Sequence, residues 1–237
     1  MMISVVLPAY KEAKNLETII PRINEVLKEI KHEILVIDTI EPMDNTKEVC
    51  NQYGAAYISR ENGNYYGDAI RTGFNHASGE YTVVMDADGS HDPQDICRFF
   101  KEMEENKYDL VIGSRYCKGG YTDNPAILRA MSWVLNLTYR ILFGLKVKDV
   151  SDSYRMYRTA ALKDMQFECL NFDIVEEILI KLSLRNKKFA VKEIPISFSK
   201  RAAGESKRDL VKFIFSYIST IRRLLEIKRK AKCGASI

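Results

Sequence analysis

Short apolar runs recur along the first half of the chain, and stretches with helical patterns separate them. The runs are rich in β-branched residues and occupy residues 3–8, 34–38, 55–59, 81–85 and 108–113. After the first run, apolar residues fall at three- and four-residue steps from Leu16 to Ile30, as in a helix with one buried face. Strand and helix alternating at a spacing of about 25 residues are typical of right-handed βαβ units. The sequence therefore predicts an α/β domain with a mostly parallel sheet flanked by helices.

One of these runs, residues 81–85, leads directly into Asp86-Ala87-Asp88-Gly89. A run without a polar break is expected in a central strand that is covered on both faces. Because ligands bind outside the carboxyl ends of parallel strands, Asp86 and Asp88 are expected at the binding edge of the sheet. Two carboxylates two positions apart suit Mg²⁺ or Mn²⁺, whose remaining positions take water and phosphate oxygens. A solvated turn without a ligand is the alternative interpretation of the same pair.

Two further loops are expected at the same edge. Residues 60–73 pass from loop into helix, and Gly63 and Gly67 would let a ligand approach the backbone near a helix N-terminus, which favours anions. Both glycines are equally compatible with plain turns. The loop after residue 113 carries Arg115 and Lys118 between glycines. Cations that converge on a carboxylate pair fit a phosphate-rich substrate.

The second half of the chain is less regular. Residues 127–147 are apolar but interrupted by Arg and Lys, which favours a buried or interfacial helix over a membrane span. Residues 149–158 end in alternating Tyr and Arg, and we expect a short edge strand there that brings Asp152 and Arg155 to the site. A helix over residues 172–184 has acidic residues in its early turns, where the helix dipole alone would also favour them.

Composition limits the class of protein. The 237 residues are enough for one large domain, and 46% hydrophobic with 29% charged residues is a globular composition. Five scattered cysteines and an N-terminus unlike a signal peptide favour a reducing cytosol. We assign residues 1–205 to the catalytic domain and residues 206–237 to a basic amphipathic helix and tail.

The C-terminal helix has two interpretations. Its apolar stripe is flanked by Lys and Arg, as in helices that lie on an anionic membrane surface at the cytoplasmic face. Packing of the same stripe on the domain, with a solvated basic face, is the default for surface helices. Binding of nucleic acid is not expected, because the aromatic side chains fall on the apolar stripe and not on a polar face.

Several spaced motifs occur together and in order. They are Val6-Leu7-Pro8-Ala9-Tyr10-Lys11-Glu12, Asp86-Ala87-Asp88 with His91-Asp92-Pro93, Gly113-Ser114-Arg115-Tyr116 with Lys118-Gly119-Gly120, and Glu193-Ile194-Pro195-Ile196 followed by Arg201 and Gly204-Glu205-Ser206-Lys207. On these motifs the chain resembles a family 2 inverting glycosyltransferase of the GT-A fold, in the dolichol-phosphate or polyprenyl-phosphate mannose synthase branch. The resemblance covers almost the whole chain.

The resemblance implies a nucleotide-sugar donor, linked to GDP or UDP, and a polyprenyl or dolichyl phosphate acceptor, with Mg²⁺ or Mn²⁺ as cofactor. The metal ligands would be Asp86 and Asp88. The residues assigned to nucleotide binding are Pro8, Tyr10, Glu12, Asp38, Asp68, Asp86 and Ala87. The residues assigned to catalysis are Asp88, Arg115, Arg129, Arg201 and Lys207. The enzyme would be cytoplasmic, peripheral at the inner face of the membrane.

The acceptor decides whether a base is needed. A lipid phosphate is already an anion, so arginines that orient it for in-line attack would suffice. A sugar hydroxyl in polysaccharide assembly, the alternative acceptor, would need a carboxylate within hydrogen-bond reach. The candidates for that base are Asp149, Asp152, Asp173, Glu176 and Glu177. A second alternative is a nucleotide-sugar-binding module without turnover.

The chain departs from the family pattern at three places. The loop from Asp38 to Asn45 is one residue longer than usual and lacks the second of two adjacent aspartates. Residues 150–155 replace a glycine and add Asp152 near the expected acceptor, and Gly89 replaces the usual leucine. These departures argue against mannose transfer to dolichyl phosphate specifically, and leave a related sugar or another prenyl or glycan acceptor open.

Overall fold

A computed structural model describes residues 1–186, 188–199 and 210–232, with the side chains of the last helix described from Ser216 to Ala231. The strands are β1 (Met2–Pro8), β2 (Lys31–Asp38), β3 (Ala56–Ser59), β4 (Tyr81–Val84), β5 (Leu110–Ser114), β6 (Tyr121–Thr122), β7 (Arg155–Arg158), β8 (Val191–Pro195) and β9 (Ser197–Phe198). The helices are α1 (Ala13–Val26), α2 (Thr46–Tyr53), α3 (Tyr66–His76), α4 (Gln94–Asn106), α5 (Ala126–Phe143), α6 (Thr159–Lys163), α7 (Ile174–Arg185) and α8 (Leu210–Lys232).

Seven strands form the central sheet in the order β3-β2-β1-β4-β7-β5-β8. Every neighbouring pair is parallel except the two that involve β7, which runs antiparallel to both β4 and β5. The predicted mostly parallel α/β sheet with flanking helices is thus confirmed. A separate two-stranded sheet of β6 and β9 was not predicted; both of its strands are only two residues long.

The prediction of an edge strand at residues 155–158 is wrong, because β7 lies inside the sheet. Its alternating Tyr and Arg pattern suggested a solvated face, yet Arg155 is completely buried. The Arg155 guanidinium donates hydrogen bonds to the backbone carbonyls of Asp152, Val150 and Val175. These carbonyls replace water as partners of the charge, so a cation can occupy a central strand.

The two faces of the sheet carry separate hydrophobic cores. On β1, Val5 and Leu7 point into the core formed with α1, α2 and α4, whereas Val6 points into the core formed with α3, α5, α7 and α8. This alternation is the two-residue period of a strand that is buried on both faces. At 25 cal/mol per Å² of apolar area, such burial supplies the main favourable contribution to folding.

Helix α8 packs on this second core. Tyr217 and Leu224 are buried in it, the Thr220 hydroxyl donates to Asp173, and Lys228 donates to the carbonyl of Leu142 at 2.6 Å. The described part of α8 therefore packs its apolar stripe on the domain, which is one of the two arrangements predicted for this helix. Across the described ranges, no helix is both long enough and apolar enough to cross a bilayer.

Helix α5 is the most exposed apolar element of the second half. Only Asn136 and Tyr139 of this helix are buried, whereas Trp133 is 61% and Ile141 72% exposed. The helix predicted in residues 127–147 is observed as α5, Ala126–Phe143. It is mostly exposed and leaves a row of apolar side chains without cover from the described part of the chain, and its interfacial placement stays a prediction.

Candidate active site

Two adjoining pockets lie at the carboxyl ends of the parallel strands, and Asp86 and Phe172 contribute to both. The strand-edge pocket has a volume of about 320 Å³ and lies beyond β1 and β4. The α5 pocket is narrower, about 80 Å³, and lies between the residues after β5 and helix α5. Their position agrees with the rule that ligands of open α/β sheets bind beyond the carboxyl ends of the strands.

The strand-edge pocket brings together most of the residues predicted to bind a nucleotide. Its lining includes Pro8, Ala9, Tyr10, Glu12, Arg60, Asn64, Tyr65, Tyr66, Asp86, Ala87, Asp88, Asn171 and Phe172. Tyr66 stacks on Phe172 with ring centroids 4.4 Å apart, and its hydroxyl lies 3.5 Å from Oδ1 of Asp86. This stacked pair forms the wall between the two pockets.

Asp38 ends β2 just behind this pocket. The carboxyl group is buried and accepts a hydrogen bond from the Tyr57 hydroxyl at 3.3 Å. Burial raises the pKa of Asp38, and the nearby Asp44 adds to the shift. Asp44 comes from the longer loop after β2, and it accepts the backbone N–H of Ala13 at 3.1 Å. The lengthened loop thus holds the start of α1, next to Glu12.

Arg60 was not among the predicted site residues. It follows β3 directly, lines the strand-edge pocket and is buried. Its guanidinium donates to the backbone carbonyls of Ala9, Asn64 and Tyr65, which joins the loop after β1 to the loop between β3 and α3. The same strand-end rule that found Asp86 would have found Arg60, because both follow a parallel strand.

Asp68 lies behind the strand-edge pocket. Its carboxylate accepts the backbone N–H of Tyr65 at 3.0 Å and pairs with Arg71 at 2.6 Å. Asp68 therefore fixes the start of α3, as an acidic residue in a capping box does. A direct contact of Asp68 with a nucleotide stays a prediction.

The α5 pocket contains a buried ionic network. Nε of Arg115 donates to Oδ2 of Asp149 at 2.8 Å and Nη2 donates to Oδ1 at 2.7 Å. Asp152 lies 3.0 Å from Nε of the same guanidinium and 3.6 Å from Nε2 of His91. Burial disfavours ionisation of Asp152, but Arg115 and His91 outweigh it, so the pKa of Asp152 is lowered. Arg115, predicted to receive phosphate, is thus held by two carboxylates at the pocket wall.

His91 connects this network to the aspartate pair. The backbone N–H of Asp86 donates to its Nδ1 at 3.3 Å, while its ring packs on Tyr154 and Phe198. His91 entered the sequence analysis only as part of a motif. Asp86 lies only five positions before His91, but Asp152 is distant in sequence, so spacing alone gives no signal for the contact with Asp152.

The remaining predicted cations lie apart from these contacts. Arg129 is exposed in the first turn of α5, next to Leu128, which lines the α5 pocket. Arg201 and Lys207 lie outside the described residues. Their roles in catalysis stay predictions.

The aspartate pair fits a divalent cation that takes its other ligands from phosphate and water. Asp86 and Asp88 line the strand-edge pocket together. Two residues further on, the Ser90 hydroxyl is buried without a hydrogen-bond partner among the described residues. No group of three or more His, Cys, Asp or Glu side chains in the described ranges makes a closed metal site. Magnesium typically uses one or two carboxylates and substrate phosphates in this way.

A nucleotide-sized pocket at the edge of a mostly parallel sheet, with two aspartates after its central strand, defines a transferase of the GT-A type. Residues 4–166 match the family model of glycosyl transferase family 2, and the chain belongs to that family. The sequence-based prediction of the family is thereby confirmed.

Curated relatives support the predicted branch. The chain is 34% identical to a dolichol-phosphate mannosyltransferase of Pyrococcus furiosus, over 95% of this chain and 64% of that protein. It is 31% identical to a polyprenol monophosphomannose synthase of Mycolicibacterium smegmatis, over 86% of this chain and 79% of the relative. An undecaprenyl-phosphate mannosyltransferase of Micrococcus luteus is 29% identical, over 87% of each chain. The chain thus spans less than two thirds of the length of the Pyrococcus relative.

Solved structures agree on the fold. Glucosyl-3-phosphoglycerate synthase from Mycobacterium tuberculosis, crystallised with Mn²⁺, UDP and glucosyl-3-phosphoglycerate, superposes with a TM-score of 0.71 at 19% identity, covering 100% of this chain and 81% of that chain. The same enzyme crystallised with Mg²⁺ and UDP gives a TM-score of 0.71 over 100% and 80% of the two chains.

Proposed function

We propose that the protein transfers a sugar, with inversion, from a nucleotide diphosphate to a polyprenyl phosphate. The names of the curated relatives support the acceptor class and the structural relatives support the fold that binds the donor. The observation that carries the proposal is the state of the carboxylates near the α5 pocket. All five candidate bases are occupied by other partners or deeply buried.

Two of the five are counter-ions of the same cation. Asp149 makes a two-pronged ion pair with Arg115, and Asp152 contacts both Arg115 and His91. Asp152 is a weak base, because Arg115 and His91 stabilise its ionised form. Both carboxylate oxygens of Asp149 already accept hydrogen bonds from Arg115. Neither group is suited to take a proton from a sugar hydroxyl.

The other three lie in α7 or at its start. Asp173 accepts hydrogen bonds from the hydroxyls of Ser216 and Thr220. Glu177 pairs with Lys181 at 2.9 Å and accepts two backbone N–H groups. Glu176 is completely buried, without exposed surface toward either pocket. An acceptor that must lose a proton would therefore find no available base among these residues.

A phosphate acceptor needs no base. Its oxygen is already ionised and attacks the anomeric carbon as the nucleotide diphosphate leaves, so positioning and charge stabilisation are the tasks of the protein. Arg115 at the wall of the α5 pocket would orient the acceptor, and Arg129 in the first turn of α5 would supply a further cation. A divalent cation at Asp86 and Asp88 would stabilise the charge that develops on the leaving diphosphate.

The donor would occupy the strand-edge pocket. Asp86 belongs to both pockets, so a diphosphate beside it would place the sugar at the opening to the α5 pocket. Tyr66 and Phe172 would separate the nucleotide from the acceptor and leave only the reacting groups in contact. This arrangement supports attack from the side opposite the diphosphate, as inversion requires.

An apolar groove continues from the α5 pocket toward the surface. The groove has a volume of about 500 Å³ between α5 and α8, and shares Met131, Leu135 and Tyr217 with the α5 pocket. An isoprenoid chain attached to a phosphate in the α5 pocket would leave along this groove. The exposed Trp133 and Ile141 on the same helix support peripheral binding to a membrane.

Donor binding and transfer test the proposal together. Calorimetric titration with UDP, GDP and their sugar conjugates, with Mn²⁺ or Mg²⁺ and again with EDTA, should give metal-dependent binding of one nucleotide. With that donor, label should pass to undecaprenyl phosphate and not to undecaprenol, which presents a hydroxyl on the same chain. Equal transfer to both would overturn the phosphate acceptor. Nucleotide binding without transfer to either acceptor would favour a module without turnover.

Membrane binding is tested separately. Ile141→Glu changes an exposed side chain of α5, and flotation with vesicles of anionic lipid should fall relative to the unmodified protein. Lys101→Gln in α4 also lowers the net charge by one and alters an equally exposed side chain in another helix, so it serves as the charge control. Unchanged flotation of the Ile141 variant would remove α5 from the proposed membrane surface.

A further inference from the structure

We propose a second anion site on the side of α5 opposite the α5 pocket. This site would bind either the phosphate group of a lipid or free inorganic phosphate. The Tyr116 pocket, as we name it, has a volume of about 110 Å³. Its lining consists of Tyr116, Trp133, Asn136, Leu137, Arg140 and Lys148. None of these residues lines either pocket of the candidate active site.

The two sites lie back to back. Arg115 lines the α5 pocket, and the next residue, Tyr116, lines the Tyr116 pocket. Along α5, Ser132 faces the first pocket, whereas Trp133 and Asn136 face the second. Because successive helical residues are about 100° apart, these positions lie on different faces of α5. A ligand in the Tyr116 pocket therefore would not contact an acceptor in the α5 pocket.

Asn136 gives the clearest sign of a ligand. It is 3% exposed, and its Oδ1 accepts the backbone N–H of Val150 at 2.9 Å. That bond fixes the orientation of the amide, so the opposite end is the NH₂ group. This Nδ2 has no hydrogen-bond partner among the described residues. An unpaired donor with almost no exposed surface is rare in folded proteins and calls for a partner.

Two further buried polar atoms of the pocket are also unpaired within the described ranges. They are the hydroxyl oxygen of Tyr116 and Nε of Arg140. With Nδ2 of Asn136 they make three unpaired groups that can all donate to one ligand. An acceptor-rich group satisfies all three at once.

The charge of the residues that line the Tyr116 pocket favours an anionic ligand. Arg140 and Lys148 are the charged residues of the lining, and both are cationic. The adjacent carboxylate, Asp149, is committed to Arg115 on the other side. A pocket of this volume is too small for a nucleotide but suits a compact group with several acceptor oxygens. Phosphate, with charge and acceptors on all sides, meets both conditions.

Trp133 makes the site measurable without any assay of transfer. It is the single tryptophan of the chain and lies at the rim of the Tyr116 pocket. Titration of the full chain with inorganic phosphate should give a saturable change in tryptophan fluorescence. A second titration uses vesicles of phosphatidylcholine with and without phosphatidic acid, whose headgroup is a phosphate monoester. A tighter response to the phosphatidic acid vesicles that is lost in Arg140→Gln identifies a lipid headgroup as the source, because binding of the exposed apolar face of α5 to the vesicles would persist in that variant. A response to inorganic phosphate alone identifies free phosphate.

Three substitutions locate the signal. Asn136→Asp keeps the oxygen that accepts the Val150 amide but replaces the unpaired NH₂ group by a negative oxygen, and Arg140→Gln removes one cation. Each should weaken phosphate binding at least about ten-fold, as the loss of a charged or buried hydrogen bond does. Tyr116→Phe removes only a hydroxyl and serves as the mildest variant if Asn136→Asp does not fold.

Two controls keep the outcome decisive. Arg185→Gln removes an exposed cation at the end of α7, and Asp88→Asn alters the strand-edge pocket; both should leave the phosphate response unchanged. A response that persists in the Asn136, Arg140 and Tyr116 variants, or no saturable response to either probe, would overturn the site. Nucleotide binding by the Arg140 variant is measured alongside, so failure of this site and failure of the proposed transfer are distinguishable.

Discussion

The strand-edge pocket and the α5 pocket share a wall but are built by different means. The first is placed by the ends of parallel strands, whose positions follow from backbone hydrogen bonds between β1, β2 and β4. The second is assembled from irregular segments held by buried charges, with Arg115, Asp149 and Asp152 at its centre. Loss of one side chain in the strand-edge pocket should therefore impair function, whereas loss of one side chain in the α5 pocket should destabilise the fold.

The difference follows from where each pocket obtains its rigidity. Backbone ladders tolerate changes of side chain, because the hydrogen bonds that hold them do not involve those side chains. A buried ion pair does not, because removal of one partner leaves the other charge without water or counter-ion. Four predictions test this contrast, from the largest expected effect to the smallest.

Asp149→Asn should lower the free energy of unfolding by about 3 kcal/mol, because the buried Arg115 guanidinium loses the charged acceptor of two hydrogen bonds while Asp152 remains as its counter-ion. Urea denaturation measures the change. Asp164→Asn is the matched control, since Asp164 pairs with Arg185 at the surface, and should cost less than about 1 kcal/mol. Equal costs would mean that the buried network does not support the α5 pocket.

Asp88→Asn should lower the rate of transfer by about 10²–10³-fold, since it removes a charge beside the leaving diphosphate. Its unfolding curve should stay close to that of the unmodified protein, because an amide oxygen can still accept the backbone N–H of Ser90. Rates with Mn²⁺ and with EDTA measure the effect. A variant as active as the parent would remove Asp88 from the reaction.

Gly67→Ala should destabilise the protein by about 1–3 kcal/mol and weaken nucleotide binding. A Cβ there would lie 2.2 Å from the carbonyl oxygen of Cys169, so the start of α3 would have to move away, together with Tyr66 in the wall between the pockets. Urea denaturation and nucleotide titration measure the two effects. Gly144→Asn, at a left-handed position in open space, should cost less.

Glu176→Gln should flatten the dependence of stability on pH. Burial raises the pKa of Glu176 to about 8, an effect that Arg155 partly offsets. A raised pKa in the folded state means that the contribution of this group is fully present below the ordinary pKa of 4.5 and is lost as the pH rises toward 8. The slope is at most about 1.4 kcal/mol per pH unit for one group.

Urea denaturation at several pH values between about 5 and 8 compares the two proteins. The unmodified protein should lose stability with rising pH relative to the glutamine variant. Parallel curves would show that Glu176 is ionised in the folded protein, contrary to the raised pKa.

The same contrast explains how much the sequence could predict. The end of β4 was expected at the binding edge, because an apolar run followed by acidic residues signals a buried parallel strand. Arg60 also follows a parallel strand directly, so the same rule would have predicted it. Pro8, Tyr10 and Glu12 were assigned through the family resemblance, and the structure brings them together with Asp88 at this edge.

The α5 pocket depended on contacts that no local pattern encodes. Arg115 is joined to Asp149, 34 positions further on, and Arg155 is satisfied by the carbonyl of Val175. In the sequence, Asp149 and Arg155 lie in a polar stretch, and β7 was therefore expected at an edge of the sheet. Their partners become visible only when the chain is folded.

The position of β7 also governs the order in which the sheet can be assembled. Strands β4 and β5 follow each other along the chain with one helix between them. They are not neighbours in the sheet, because β7 lies between them. Until Arg158 has been synthesised, β4 has an unpaired edge and β5 has no partner in the central sheet, because both of its neighbours, β7 and β8, come later in the chain. The family match, which extends to residue 166, includes this strand. A fragment that ends before β7 would therefore leave one edge of β4 and both edges of β5 unpaired and should aggregate, whereas a fragment that includes β7 pairs this strand with both β4 and β5.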